Sequence, residues 1–374
     1  MKILFVCGGL ETGRDGVGDY CRRLAAAGRE RGWEPALLAI HDAHIPPGEP
    51  VRATWSGIPM LRLSRREAWD VREQGAAEFI AGHRPEWVSL QFVGYALEPK
   101  GVIFRWVPRL TALLSGPRVH LMFHEIWVGA STEYGLRDRL LGAVQKLDIR
   151  RLARRLRPDA VHTSNHAYQR LLAGIGVRAG RLRLPGNIPV PLPDPGRAVG
   201  APVRREDTWV AGVFGTIHPR WQPGPWLEEL LDLAAQAGRR LEMVRFGESG
   251  ACGARVWAQL QSDFGDRLVL KNLGVRDADE ITQLLSDLDF GIATSPWALI
   301  EKSGATAAFL DHGLPVLVTR DDWQLRTGYT PEPAGDPLLF RSCKALVRAL
   351  ACRAVPRDRV GEVAQALERD LAAC

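Results

Sequence analysis

The chain has 374 residues, 46% hydrophobic and 25% charged, which is enough apolar content for one large or two medium globular domains and excludes disordered, collagen-like and small disulfide-stapled classes. Lys+Arg 49 against Asp+Glu 43 leaves a formal charge of +6, an excess that suits an anionic small molecule or a membrane surface as well as a nucleic acid.

Taken in chain order, Ile3 to Cys7 is an apolar run too short for a secretion signal and reads as a buried strand. Gly-rich residues 8–18 follow, then helical spacing from Asp19 to Gly32. Pro35 to Ile40 is the next strand, Trp69 to His83 a helix, Trp87 to Phe92 and Val119 to Phe123 two more strands. A long helical pattern covers Tyr134 to Leu156, and Ala160 to Thr163 gives a further strand. The tract Leu184 to Pro202 carries six prolines and three glycines, so it is neither helix nor central strand and reads as a linker. Alternation then restarts with strands at Trp209 to Phe214, Leu241 to Phe246, Leu268 to Leu270, Phe290 to Thr294 and Pro315 to Thr319. Helices are expected at Trp226 to Ala237, from Arg255, at Ala278 to Ser286, Ser303 to His312, Lys344 to Cys352 and Val360 to Ala373. Strands alternating with helices imply parallel sheets covered on both faces. Two such halves predict an α/β protein of two Rossmann-like domains facing across a cleft, with ligands at the carboxyl ends of the strands. The expected limits are 1–187 for the first domain, 188–204 for the linker and 205–356 for the second, with the final helix 357–374 packing back on the first. No window reaches the roughly 18 apolar residues of a membrane span. The six cysteines, at 7, 21, 252, 343, 352 and 374, show no metal-ligand spacing and are expected as thiols of a cytoplasmic protein.

Three constellations carry chemistry. Gly8-Gly9 through Gly16-Val17-Gly18-Asp19 opens a helix, where glycines admit a ligand and free N–H groups attract an anion. The loop is not a clean G-x-G-x-x-G, so it is a poor nicotinamide fingerprint and also reads as a flexible turn. The second runs from Asp289 into Glu301-Lys302-Ser303-Gly304-Ala305. It offers a carboxylate for hydroxyls, and an ammonium and helix-start amides for phosphates; the plainer reading is Ser303 as an N-cap. His124 and His218 each stand just past a strand, and Gln91 and Tyr95, at the end of the strand Trp87 to Phe92 and beyond it, are candidate acceptor contacts. The third is the helix over 137–157, where Arg137, Arg139, Lys146, Arg150, Arg151, Arg154, Arg155 and Arg157 outnumber Asp138 and Asp148. Leu140, Leu141, Val144, Leu147, Leu152 and Leu156 are expected to pack inward, leaving a basic face that is either simply solvated or a peripheral contact with anionic membrane. No nucleic-acid motif accompanies the charge.

The order of these motifs resembles the retaining, nucleotide-sugar-dependent glycosyltransferases of family 4, which have the GT-B fold. Gly16-Val-Gly-Asp-Tyr-Cys-Arg-Arg looks like the family's acceptor-side glycine loop, and Phe123-His124-Glu125 like the motif with its active-site histidine. Ala160-Val-His-Thr-Ser-Asn165, Leu184-Pro-Gly-Asn187, Asn272-Leu-Gly274 through Asp289, and Gly313-Leu-Pro-Val316 follow in the family's order. The chain departs from the pattern where Thr216 stands for a diphosphate-binding Arg, with Trp221 near the Lys position. The family's two glutamates fall on Ile300 and Ala308, so Glu301 is the stand-in for the first and Asp311 for the ribose-binding second. The resemblance implies sugar transfer from a nucleoside-diphosphate sugar to a glycan, lipid-linked or small-molecule hydroxyl, with retained configuration and no metal or other cofactor. It assigns catalysis to His124 and Glu301, the donor to Thr216, Arg220, Lys302, Ser303, Gly304, Ala305 and Asp311, and the acceptor to Gly16, Val17, Gly18, Asp19, Gln91 and Tyr95. Two other readings stay open: a degenerate GT-B protein that binds without transfer, and an NAD(P)-dependent oxidoreductase.

Overall fold

The computed structural model describes residues 1–48, 50–191, 205–328, 332–350 and 354–374. Of the expected linker, 192–204 lies outside the described residues, as does the end of the helix expected at Lys344 to Cys352. The chain divides into two units. The first comprises Met1–Leu184, Gln324–Pro331 and Val360–Cys374, and the second Pro185–Trp323 and Glu332–Arg359.

The first unit opens with β1 (Lys2–Cys7), α1 (Gly16–Glu30), β2 (Glu34–Asp42), β3 (Val51–Trp55), β4 (Ile58–Ser64), α2 (Trp69–His83) and β5 (Trp87–Phe92). It continues with α3 (Gly94–Leu97), α4 (Trp106–Leu113), β6 (Arg118–Phe123), α5 (Leu136–Leu156), β7 (Ala160–Thr163), α6 (His166–Ala173) and β8 (Gly180–Arg181). The eight strands lie in the order β3-β4-β2-β1-β5-β6-β7-β8. β1 and β5 are buried along almost their whole length, as strands covered on both faces must be. The expectation of a wholly parallel sheet is corrected at one edge, where β3 runs antiparallel to β4. Trp55 pairs with Ile58 around Ser56 and Gly57, whose φ values of 50° and 75° are those of a two-residue hairpin turn.

The second unit holds β9 (Thr208–Phe214), α7 (Gly224–Gln236), β10 (Arg240–Phe246), α8 (Gly250–Phe264), β11 (Leu268–Gly274), α9 (Ala278–Asp287) and β12 (Phe290–Pro296). A 3-10 turn (Trp297–Lys302) leads into α10 (Gly304–Asp311), followed by β13 (Val316–Arg320), β14 (Leu339–Phe340) and α11 (Cys343–Ala349). The order is β11-β10-β9-β12-β13-β14, parallel throughout. Apolar clusters cover the sheet, one around Leu227, Leu230 and Met243 and another around Phe246, Phe309 and Val316.

Two late segments complete the first unit. The last helix, α12 (Val360–Ala372), lays Val363, Ala364, Leu367 and Leu371 into the core formed by Cys21, Leu24 and Leu37. Residues 324–328 pair with 130–134: Ser131 bridges Leu325, and the Thr132 N–H donates to the Gln324 carbonyl at 2.8 Å.

Candidate functional site

In each sheet the strand order reverses beside its first strand, between β1 and β5 and between β9 and β12. Loops leaving the carboxyl edge on either side of such a point splay apart and open a crevice.

In the second unit, three loops bring basic side chains to this edge. His218 follows β9, Lys302 closes the 3-10 turn after β12, and Arg320 ends β13. Burial lowers the His218 proton affinity, and the charges of Arg320, Arg220 and Lys302 lower it further, against opposition from Asp322. Arg320 is 4% exposed and is held by Asp322 through two bonds of 3.0 and 2.9 Å. Arg320 and Asp322 escaped the sequence reading, whose available signal was a charged Arg-Asp-Asp run at a strand's carboxyl end. Thr216 contributes its carbonyl to the Thr294 hydroxyl at 3.1 Å, tying the β9 loop to β12. Ser303 caps α10, accepting from the Thr306 N–H at 3.2 Å and the Thr306 hydroxyl at 2.9 Å, so the plainer reading of this residue describes its side chain. The amides of Gly304 and Ala305 begin the same helix. Glu301 accepts from the Ala334 N–H at 3.1 Å.

Asp311 does not join this group. It ends α10, about 10 Å along the helix from Gly304 at 1.5 Å per residue, and is 1% exposed. Its carboxylate accepts from the Gly186 N–H at 2.8 Å and lies 3.7 Å from Arg359.

In the first unit, a cavity of about 490 Å³ lies beside β1, β2 and β5, lined by Gly8, Gly9, Asp15, His41, His44, Arg65, Tyr95 and Glu98. Asp15 caps α1, accepting from the N–H groups of Val17 and Gly18 at 3.1 and 2.9 Å. Gly18 has no room for a side chain, since a Cβ there would meet the Gly9 carbonyl at 2.7 Å. Asp19 accepts from the Gly13 N–H and pairs with Arg22 at 3.0 Å. Burial raises the proton affinity of both Asp15 and Asp19. The glycine loop is therefore held by its own carboxylates. With Asp15 on the first amides of α1, a dinucleotide pyrophosphate would meet a carboxylate there, which disfavours the nicotinamide reading.

His41 was not singled out from the sequence. Burial first, then Arg72 and Arg65, bring its pKa down to about 4, so it is a neutral ring at the cavity wall. Asp42 beside it is fully buried. Burial pushes its carboxyl up, yet bonds from Arg62 at 2.8 Å, the Leu10 N–H and the His44 N–H prevail and hold it below its usual range. Tyr95 reaches the cavity with its hydroxyl bonded to the Gln145 amide at 3.0 Å. Gln91 is instead buried, as is His124, and the two bond at 2.8 Å. The His124 ring stands edge-on to Tyr20 at 5.0 Å.

The expected packing of α5 is corrected. Gly142, Gln145, Asp148, Ile149, Leu152 and Leu156 face inward, while Leu136, Leu140, Val144 and Leu147 are 66%, 63%, 45% and 65% exposed. Gly142 sets this rotation, because a Cβ there would lie 1.9 Å from the Val128 carbonyl. Gln145 then secures it by bonds to the Val128 N–H, the Tyr95 hydroxyl and the Lys100 carbonyl. Among the described residues no helix is long and apolar enough to cross a membrane.

No protein-family model matches the chain, and comparison with curated proteins finds no match. Among solved structures, the chain is similar to HepE of Anabaena in complex with UDP and glucose, at 16% identity over 100% of both chains with a TM-score of 0.58. It is similar to the catalytic domain of starch synthase IV from Arabidopsis thaliana bound to ADP and acarbose, at 12% identity and a TM-score of 0.56, covering 100% and 99%. It is also similar to the UDP-GlcNAc 2-epimerase of Methanocaldococcus jannaschii, at 9% identity and a TM-score of 0.52 over 100% of both chains. At such identities the likeness shows the GT-B fold, which carries more than one reaction.

Proposed function

We propose that the protein is a retaining, metal-independent glycosyltransferase of family 4 that moves a sugar from a nucleoside-diphosphate donor to a hydroxyl acceptor. The observation that carries this reading is the cationic cluster at the carboxyl edge of the second sheet. Arg320, Arg220 and Lys302 all act electrostatically on His218, and Lys302 immediately precedes the α10 cap, while Thr216 and Trp221 stand at or near the positions where the family places its Arg and Lys. Breaking the bond between the sugar's anomeric carbon and phosphate oxygen leaves negative charge on the diphosphate, and fixed cations and helix-start amides stabilise that charge as it develops. Lys302, Arg220 and the amides of Gly304 and Ala305 take the diphosphate, the Ser303 N–H being given to the Ile300 carbonyl at 3.1 Å. Arg320, locked by Asp322, supplies a preorganised charge behind them. Glu301, steadied by Ala334, orients sugar hydroxyls, and Thr216 lies under the nucleotide. In the first unit, His124 is assigned to the sugar, and the cavity at Gly8, Gly9 and Tyr95, beside the Gly16–Asp19 turn, to the acceptor. The ligands in the HepE and starch synthase structures, UDP and ADP, agree with a nucleoside-diphosphate donor.

The outward face of α5 supports a lipid-side acceptor. Leu136, Leu140, Val144 and Leu147 recur at helical spacing as an exposed apolar stripe. Exposed Phe104 extends it with the Arg151 guanidinium 4.6 Å over its ring, and Arg137, Arg139 and Arg150 flank it. Apolar side chains bordered by cations suit the headgroup region of an anionic membrane.

A thermal-shift panel of UDP, GDP, ADP and TDP with their sugar conjugates tests the reading on the wild type and Lys302→Ala. At about 100 times its dissociation constant a donor adds roughly 2.7 kcal/mol of stability. A shift with one nucleotide family, cut to about 0.4–1.4 kcal/mol in the variant at the same donor concentration, is expected, with transfer unaffected by chelator and the product keeping the donor's anomeric configuration. No shift with any nucleotide refutes the donor site. A shift without turnover on any acceptor leaves a binder that does not transfer.

A further inference from the structure

Six side chains of the first unit form one unbroken hydrogen-bonded file across its sheet. Asp370 Oδ2, on α12, lies 3.1 Å from His162 Nε2 on β7. His162 Nδ1 lies 3.1 Å from His120 Nε2 on β6. His120 Nδ1 lies 2.7 Å from the Ser89 hydroxyl on β5. The Gln91 amide donates to that hydroxyl at 2.6 Å, and its oxygen lies 2.8 Å from His124 Nε2. All but Asp370 are buried, with Ser89 and His120 at 0% exposure, so water cannot substitute for a missing partner.

The file has a single consistent direction. An ionised carboxylate only accepts, so the proton on His162 sits at Nε2 and its Nδ1 accepts. His120 must then donate from Nε2 and accept at Nδ1, which calls for the Ser89 O–H. Ser89 accepts in turn from the Gln91 N–H, and this fixes the amide with its oxygen toward His124. That oxygen only accepts, so His124 carries its proton at Nε2 and Nδ1 is the ring's acceptor. Burial, reinforced by neighbouring His162 and His124, keeps His120 neutral, and burial lowers His162 despite Asp370. Reversing the file would aim a bare His162 nitrogen at a carboxylate, two acceptors facing each other.

We propose that Asp370 is a positioning residue that sets the tautomer of His124 through His162, His120, Ser89 and Gln91. The proposal rests on the sugar-transfer reading only for what His124 then does. A triad carboxylate that orients one histidine directly has an analogous role, and there a wrong tautomer costs far more than tenfold in turnover.

The test is the imidazole ¹⁵N spectrum of the full-length chain labelled at histidine, with assignments from single His→Gln variants. The wild type is expected to show only the Nε2–H form at His120, His124 and His162. Asp370→Asn can donate to His162 and so permits the reverse direction. Ser89→Ala cuts the file in the middle. Both are expected to bring up an Nδ1–H population at His124, with turnover at least about tenfold lower and the donor-induced thermal shift unchanged. Asp370→Glu is expected to restore the single form. An Nδ1–H ring at His124 in the wild type overturns the proposal, as does a His124 signal unmoved in both folded variants. If Asp370→Asn does not melt cooperatively, Ser89→Ala decides. The spectrum needs no turnover, so a wild type without transfer activity would count against the sugar-transfer reading alone.

Discussion

Replacing Asp311 by Ala removes a carboxylate that is 1% exposed, and with it the 2.8 Å bond from the Gly186 N–H and the contact with Arg359. A hydrogen bond to a charged group contributes about 1.5–3 kcal/mol net. Arg359 keeps Asp336 at 3.1 Å, so the loss stays below the 3–5 kcal/mol of a fully stranded buried charge. About 2–3 kcal/mol is expected, and at roughly 2–4 °C per kcal/mol for a unit of this size the melting temperature of the second unit should fall by about 5–10 °C. Scanning calorimetry measures the drop, and a donor titration on the folded variant should give an affinity close to wild type. An unchanged melting temperature with donor affinity weakened tenfold or more would place Asp311 on the ribose, as the family resemblance implies, and would refute its assignment to the fold.

Lys302→Ala, at a half-buried position, should melt like wild type yet bind the donor about 10- to 100-fold more weakly, from the loss of one charged contact of about 1.5–3 kcal/mol; titration calorimetry reads both. His41 is held near a pKa of about 4, below its unfolded value of about 6.5. Its contribution is therefore complete above about pH 6.5 and is lost as pH falls from there toward 4; His41→Gln should flatten the melting temperature over that window, and an unchanged slope would count against a neutral ring. Leu140→Asp with Leu147→Asp should abolish flotation with anionic vesicles without changing the melting temperature, whereas undiminished binding would remove α5 from the membrane side. Gly142→Ala should destabilise the first unit by about 1–3 kcal/mol, because the added methyl overlaps the Val128 carbonyl.

Strands buried on both faces could be read directly, and Trp87–Phe92 and Ala160–Thr163 begin and end where their apolar runs do. Apolar count fails where one residue sets helix rotation. In α5 a glycine and a glutamine hold the packed side, and four large apolar residues are left outside. The hairpin β3–β4 escaped because β3 is exposed for nearly its whole length and shows no inward alternation. Residues 324–328 join the first unit through backbone bonds to 130–132, the Arg326 side chain on the Gly129 and Tyr134 carbonyls, and buried Leu325, contacts of a short segment far along the chain that no local periodicity announces. At the site, the loop 301–305 was legible because its charges are local in sequence. Arg320 became visible only when β13 was placed beside β12. The file from Asp370 to His124 draws on residues between 89 and 370, 281 positions apart in sequence, and its members look like unrelated buried polar residues until the sheet aligns them.

The return of α12 to the first unit bears on how the protein comes off the ribosome. The body of the first unit, made well before α12, cannot complete its core until α12 emerges, because Val363, Leu367 and Leu371 pack with Cys21 and Leu24. Roughly 175 residues separate the body of the first unit from α12, a delay of about 10–35 s at ordinary rates of synthesis. Throughout that interval α1 lacks the apolar cover that α12 later supplies, the kind of transiently exposed surface that favours aggregation. The same helix carries Asp370, so a chain cut before α12 would lose a wall of its first core and the anchor of its buried histidines together.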